Sequence, residues 1–242
     1  MLNSNNLKCI AVICMIIDHI GYFFQSNLDY NLYIVCRSIG RIAMPLFAFM
    51  IVEGYYYTKN LKKYILRIFV IALITQAIIM IFNYIDINYF NDKIPTLEKL
   101  NILFSFTLIL FLLRTIDKSF IKNNLLDNIL RFATLLFIIS IYLVIDIDYG
   151  IYGVLIALTF YILKKLDKNL VPFVKYLVQT SLVIIFSMLS INSLIGLTVI
   201  FSNIFILLYN NKRGEKGKSL KIFFYSIFPL QYLLMYIIKL FI

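Results

Sequence analysis

The sequence predicts an all-α, polytopic membrane protein of about nine transmembrane helices, with the N-terminus inside, the C-terminus outside and one domain over residues 1–242. Three observations carry that expectation. First, 62% of the residues are hydrophobic and only 14% are charged, with a mean hydropathy of +0.90. Soluble domains run nearer about 45–50% apolar and about 25% charged, and so few charges could not cover this much apolar surface in water. Second, apolar runs recur at the length a bilayer requires, roughly 20 residues at about 1.5 Å each. Third, the loops between them alternate in charge.

In chain order the apolar windows fall at 7–25, 36–57, 64–85, 99–115, 125–146, 150–165, 171–190, 193–210 and 220–241. The fourth and sixth are short for a bilayer and read as half-spans or as spans enclosed by other helices. Lys59, Lys62 and Lys63 follow the second window, Arg114, Lys118 and Lys122 the fourth, Lys164, Lys165 and Lys168 the sixth, and Lys212, Arg213, Lys216 and Lys218 the eighth. The intervening loops are acidic or neutral on balance: Asp29; Asp86, Asp92, Lys93 and Glu98; Asp146 and Asp148; and the uncharged stretch 190–193. Every second loop is basic, which by the positive-inside rule calls for an odd number of spans and a cytoplasmic N-terminus. No linker longer than a loop divides the windows, hence a single domain.

The net charge of +11 sits in those short loops rather than on one aromatic-interleaved surface, which argues against a nucleic-acid partner and for a lipid bilayer. Cys9, Cys14 and Cys36 lack metal-ligand spacing and read as packing residues, and no metal site is expected. The first window carries Asp18-His19 and has no A-x-A site after it, so it reads as a retained span rather than a cleaved signal.

An ionisable residue inside a span costs about 2.5–3.5 kcal/mol on insertion scales and normally faces a partner or a wet cavity. Leu7 to Arg67 concentrates such residues: Asp18, His19, Arg37, Arg41, Glu53 and Arg67. His19 lies about 9 Å from the outer end of the first window, and Arg41 sits at a similar depth in the antiparallel second. Neighbours on a helix diverge by about 100°, so Asp18 and His19 face apart, whereas Arg37 and Arg41 share a face. Asp18 is therefore expected to pair with the arginines. That leaves His19 free to present one imidazole nitrogen to a cavity, where it suits a general base. The plainer reading is a buried ion-pair lock with a hydrogen-bonded histidine beside it. Glu53 is placed to pair with Arg67 at the inner face, while Lys59, Lys62, Lys63 and Arg67 suit the phosphates of an anionic cytosolic donor or, more simply, snorkel at helix ends. Asn101 and Ser105 on the fourth window, Asp148-Tyr149-Gly150 at an outer turn and Gln231 after Pro229 are fainter candidates, and such amides and hydroxyls commonly join helices.

The segments IDHIGYFF at 17–24, RSIGRIAMPLFAFMIVEGYYYTKN at 37–60 and KKYILRIFVIALITQ at 62–76 closely resemble the opening of the TraX family of membrane proteins. LNILFSF at 100–106, DYGIYGVLIALTFY at 148–161 and FYSIFPLQYLLMYII at 224–238 resemble its later blocks. The family's best-known member acetylates the N-terminus of a conjugative pilin. The resemblance implies a multi-pass protein of the bacterial inner membrane that moves an acetyl group from cytosolic acetyl-CoA to an amine or hydroxyl at the outer face. It implies His19, with Asp18, as the catalytic pair; Arg37, Arg41, Glu53, Asn101 and Gln231 as supporting or oxyanion-stabilising groups; Lys59, Lys62, Lys63 and Arg67 on the donor side; and Asp148 and Tyr149 on the acceptor side. Where the family pattern reads P-x-H-L, this chain has Pro229-Leu230-Gln231-Tyr232. Two other classes fit the same buried charges: a small-solute carrier, and a non-catalytic assembly factor of a pilus or secretion system.

Overall fold

A computed structural model describes residues 1–86, 99–166, 171–191, 194–212, 214 and 217–241. Asp92, Lys93, Glu98, Lys168, Arg213 and Lys216, used above in the loop-charge pattern, lie outside the described residues. The described chain is helical: α1 (Ser4–Phe23), α2 (Tyr30–Gly40), α3 (Ala43–Tyr57), α4 (Leu61–Ile85), α5 (Ile102–Asp117), α6 (Asn124–Val144), α7 (Gly150–Lys165), α8 (Pro172–Ile191), a 3-10 segment (Leu194–Val199), α9 (Ile200–Leu207) and α10 (Lys218–Phe241). Asparagine starts four of these helices. Asn3, Asn60, Asn101 and Asn123 each turn a side-chain oxygen onto first-turn amides that have no partner within the helix.

Among the described residues six helical stretches are long and apolar enough to cross a membrane: Ser4–Phe23, Tyr30–Tyr57, Leu61–Ile85, Asn124–Val144, Pro172–Leu189 and Ser219–Lys239. The second begins at Tyr30, six residues before the window at 36–57, and contains the break between α2 and α3 at Arg41–Ile42. The eighth window resolves into the 3-10 segment followed by the eight-residue α9. The two short windows correspond to α5 and α7. Eight of the 16 residues in each of these helices are buried, against two of 21 in α6, so the short helices are interior and α6 is peripheral.

Five helices touch in a closed cycle, α1 to α3, α3 to α5, α5 to α4, α4 to α10 and α10 back to α1, while α7 packs on α3 and α5 from outside that ring and α8 on α7. Fully buried Leu7, Phe23, Leu46, Ile109, Leu110, Ile156, Tyr161 and Tyr236 fill the contacts. The helix ends meet in fixed groups. Leu2 pairs with Tyr209 and Leu100 with Ile147 in isolated parallel bridges. Lys239 near the end of α10 donates to Asn27 Oδ1 (2.6 Å) and Ser26 Oγ (3.2 Å) in the α1–α2 turn.

The α1–α2 contact is tight because small residues line it. A Cβ on Gly21 would stand 2.7 Å from the Cβ of Cys36, and one on Gly40 would fall inside the Asp18 carboxylate. The glycine in RSIGR is thus the space into which Asp18 is inserted.

Candidate active site

α1 stands between α2 and α10, and its adjacent residues Asp18 and His19 face these two neighbours separately, as the 100° step requires. On the α2 side Arg41 Nη2 donates to both carboxylate oxygens of Asp18 (2.7 and 2.8 Å), and Arg37 Nη1 reaches Asp18 Oδ1 at 2.9 Å and its carbonyl oxygen at 3.3 Å. Arg41 Nε donates to the Arg37 carbonyl at 3.2 Å, so the guanidinium is gripped along two edges. The pairing expected of Asp18, Arg37 and Arg41 is the one observed.

On the α10 side His19 Nε2 lies 3.3 Å from the Tyr232 hydroxyl, with the ring centroids 4.7 Å apart. Phe23 meets the imidazole edge-on at 6.4 Å. Gln231 also lies beside the ring. His19 is half-buried, and its Nδ1 has no hydrogen-bond partner among the described residues.

The turn before α7 brings Asp148 and Tyr149 to the same cluster. The Arg41 guanidinium carbon lies 5.7 Å from the centre of the Tyr149 ring. Tyr149 and Gly150 both adopt left-handed backbone, φ 61° and 48°, a strained choice for the tyrosine that surroundings must hold in place. Asp148 Oδ1 accepts from the Tyr149 amide at 3.0 Å. Burial raises the Asp148 carboxyl above its ordinary value; Arg41 and Arg37 oppose the rise and Asp18 adds to it.

Toward the other end of the ring, a cavity of 680 Å³ is enclosed by α1, α3, α4, α5 and α10. Lys8, Arg67 and Lys221 line its polar end together with Glu53 and Tyr209, and Met15 and Phe228 line its apolar end. Met15 is one helical turn, about 6 Å of rise, from His19, and Phe228 is one turn from Tyr232. The cavity therefore stops one turn short of the imidazole.

Of the residues named from the sequence, Arg67 lines this cavity, whereas Lys59, Lys62 and Lys63 are exposed and are not among its lining. Glu53 is not paired with Arg67. It pairs with Lys164 on α7, whose ammonium also sits over Tyr56 and Tyr57 (5.1 and 4.8 Å), and it accepts from the Tyr209 hydroxyl at 3.4 Å. Arg67 instead donates to the Lys63 carbonyl at 2.9 Å and faces the Tyr225 ring. The reason is direction: α3 turns Glu53 toward α7 across the core, while Arg67 is on the face of α4 that meets α10. Asn101 is engaged in the α4–α5 joint, donating to Ala72 O and Gln76 Oε1 (both 2.9 Å), and Ser105 shares a 2.8 Å hydrogen bond with Tyr142. None of these contacts reaches His19. Sequence reasoning missed Lys8, Lys221, Lys164 and Tyr232. Only Tyr232 had a local signal, its place in the block that begins at Pro229.

Known proteins resemble this chain along most of its length. The family described as TraX protein matches residues 3–239. A probable fimbrial assembly protein FimC, serogroup H1, of Dichelobacter nodosus is 32% identical over 158 residues, 63% of this chain and 59% of the relative. An uncharacterized protein RP591 of Rickettsia prowazekii (strain Madrid E) is 41% identical over 70 residues, 29% of this chain and 24% of the relative. The matched stretch thus spans less than two thirds of the length of either relative. No solved structure matches. With its opening blocks forming the Asp18–His19 cluster and its last block supplying Gln231 and Tyr232 to the same place, the chain belongs to the TraX family.

Proposed function

We propose that this protein is a membrane-embedded acyltransferase that moves an acetyl group from cytosolic acetyl-CoA to an amine or hydroxyl at the outer face, on a pilin-type or envelope acceptor. The observation that carries the reading is the alignment of one cavity with one base. The cavity has cations at one end, lies within the usual range of about 300–1,000 Å³ for ligand sites, and ends one turn below the chain's sole imidazole. Lys8, Arg67 and Lys221 take the donor's phosphates, a role the sequence suggested for Arg67 together with Lys59, Lys62 and Lys63. The apolar walls take its pantetheine arm, and the thioester passes between Met15 and Phe228. Asp18, held by two arginines, fixes the α1–α2 contact, and His19 Nδ1 removes the acceptor's proton. In the membrane the chain crosses nine times, with the basic loops and the polar end of the cavity in the cytoplasm.

The experiment is binding and transfer with protein in nanodiscs. Coenzyme A is expected to bind wild-type protein and His19→Ala alike, while labelled acetyl transfer is lost only in His19→Ala. Transfer that survives His19→Ala removes the histidine from the mechanism. A wild-type protein that does not bind coenzyme A removes the enzyme.

The bidentate Asp18–Arg41 grip favours one other reading, an assembly factor in which this cluster is only a lock. A relative named for fimbrial assembly agrees with either. The lock reading expects His19→Gln to keep function and Arg41→Leu to lose it through misfolding.

A further inference from the structure

His19 Nδ1 and both amide atoms of Gln231, Nε2 and Oε1, are buried beside one another and make no close hydrogen bond among the described residues, the imidazole and the carboxamide meeting each other only loosely. Gln231 is 3% exposed. The other buried carboxamides each make at least one hydrogen bond: Gln76 Oε1 accepts from Asn101, and Gln179 Nε2 donates to Asn203 Oδ1 at 2.7 Å, although Asn203 Nδ2 has no partner among the described residues. An orphaned buried amide is costly, and native proteins keep such groups where a ligand or reaction completes them. The arginines close by are turned elsewhere: Arg41 Nε and Nη2 and Arg37 Nη1 are directed at Asp18 and at the Arg37 carbonyl, on the α2 side of α1, whereas Gln231 meets α1 from α10.

We propose that Gln231 is the group that binds the acyl carbonyl oxygen, through Nε2, and carries the negative charge that develops there. The assignment rests on the acetyl-transfer reading and names its oxyanion donor. For His19 Nδ1 to act as base, Nε2 carries the ring proton and donates it to the Tyr232 hydroxyl, a geometry that the 3.3 Å separation allows. The acceptor's lone pair then forms a bond to the thioester carbon, the carbonyl π pair moves to oxygen, and Gln231 Nε2–H donates to that oxygen. His19 Nδ1 takes the acceptor's proton. Collapse restores the C=O bond, breaks the C–S bond and returns the proton from His19 to the departing sulfur, giving acetylated acceptor and the free thiol of coenzyme A.

A carbonyl that accepts a hydrogen bond stretches at lower frequency, so the probe is acetyl-CoA labelled with carbon-13 at the thioester carbonyl, bound to full-length protein in nanodiscs and read by infrared difference spectroscopy. Wild-type protein is expected to shift the band below its position in an apolar solvent. Gln231→Met, similar in length but without the amide, is expected to abolish the shift, to weaken acetyl-CoA binding by no more than about tenfold, and to lower thiol release about 10²–10³-fold, mostly through kcat. Bound acetyl-CoA whose band is unshifted in wild-type protein, or equally shifted in Gln231→Met, overturns the assignment and leaves the enzyme reading standing. Failure of wild-type protein to bind acetyl-CoA overturns both. Should Gln231→Met not fold, Gln231→Asn decides: drawn back by one methylene, its amide is expected to give a smaller shift, and an undiminished one overturns the role.

Discussion

Asp18 and Asp148 are two carboxylates at one cluster with opposite energetic signs. Asp18 neutralises Arg37 and Arg41, whose side chains are 20% and 8% exposed. Asp18→Asn leaves the buried Arg41 and the partly buried Arg37 without a counter-charge, a change of the kind that costs about 3–5 kcal/mol, and it is expected to lower the thermal unfolding midpoint sharply in detergent. Asp148 is held above its ordinary value by burial, so its ionised form weakens the fold. Asp148→Asn is therefore expected to be more stable than wild type at pH 8. That gap should narrow as pH falls through the carboxyl's raised value and close below 3.8, since both proteins are then neutral at this position; a gap that widens on acidification reverses the assignment. The Asp18 grip was legible in the sequence because both arginines share a helix face four residues apart, directly across a short turn. Glu53 was misread because the cation matched to it across the short basic loop, Arg67, faces α10, whereas its partner Lys164 is 111 residues away. Periodicity finds a charge that needs a partner; only tertiary packing says which one it gets.

At the scale of helices, α3 is the element that couples the two ends of the site. Its entry follows Arg41, its middle lines the cavity through Phe47, Met50 and Ile51, and its end delivers Glu53 to α7 and Tyr55 to α5. Tyr55 and Tyr161 both donate to Asp117 (3.1 and 3.0 Å), so α3, α5 and α7 close on one carboxylate. The triple tyrosine after Glu53-Gly54 is explained by this junction: Tyr55 bonds Asp117, and Tyr56 and Tyr57 flank Lys164. Lys164→Met leaves a Glu53 carboxylate that is 7% exposed without its cation and is expected to cost roughly 1–3 kcal/mol. Glu53→Gln combined with Lys164→Met is expected to recover most of that loss. Equal destabilisation by the single and double variants would mean that the two residues are not coupled. The sequence foresaw that α5 and α7 were too short to stand alone, since their length alone sets them apart. It expected a cavity at His19, but the cavity observed is not lined by that residue and stops one turn short of it, because its walls are set by where α1, α3, α4, α5 and α10 close into a ring.

For the whole molecule, the grouping of helix ends bears on how the chain threads the membrane. If each long helix, the two interior helices α5 and α7, and the segment 194–207 all cross, the chain crosses nine times. Residues at even-numbered exits and at the N-terminus then share one side. The observed pairings obey that rule: Leu2 with Tyr209, Glu53 with Lys164, and Asp117 with Lys165 all fall on the basic-loop side. Leu100 with Ile147, and Lys239 with Asn27, fall on the other. An even count, obtained by keeping 194–207 on one side of the bilayer, would carry the end of α10 to the side of Leu2 and away from the α1–α2 turn it grips. Lys8, Arg67 and Lys221, the residues proposed to hold the donor's phosphates, also come from the basic-loop side, so the proposed function requires that side to be cytoplasmic. A periplasm-active reporter fused after the last residue is expected to be active, and one placed in the basic loop after α3 inactive. The same arrangement predicts that Lys8→Met, Arg67→Met and Lys221→Met each weaken coenzyme A binding by about tenfold, the loss of one charge-assisted contact of roughly 1.4 kcal/mol, with little effect on the binding of pantetheine, which carries no phosphate. A reporter active after α3 would put those cations outside, where no cytosolic thioester reaches them, and the nine-crossing arrangement and the donor route would fall together.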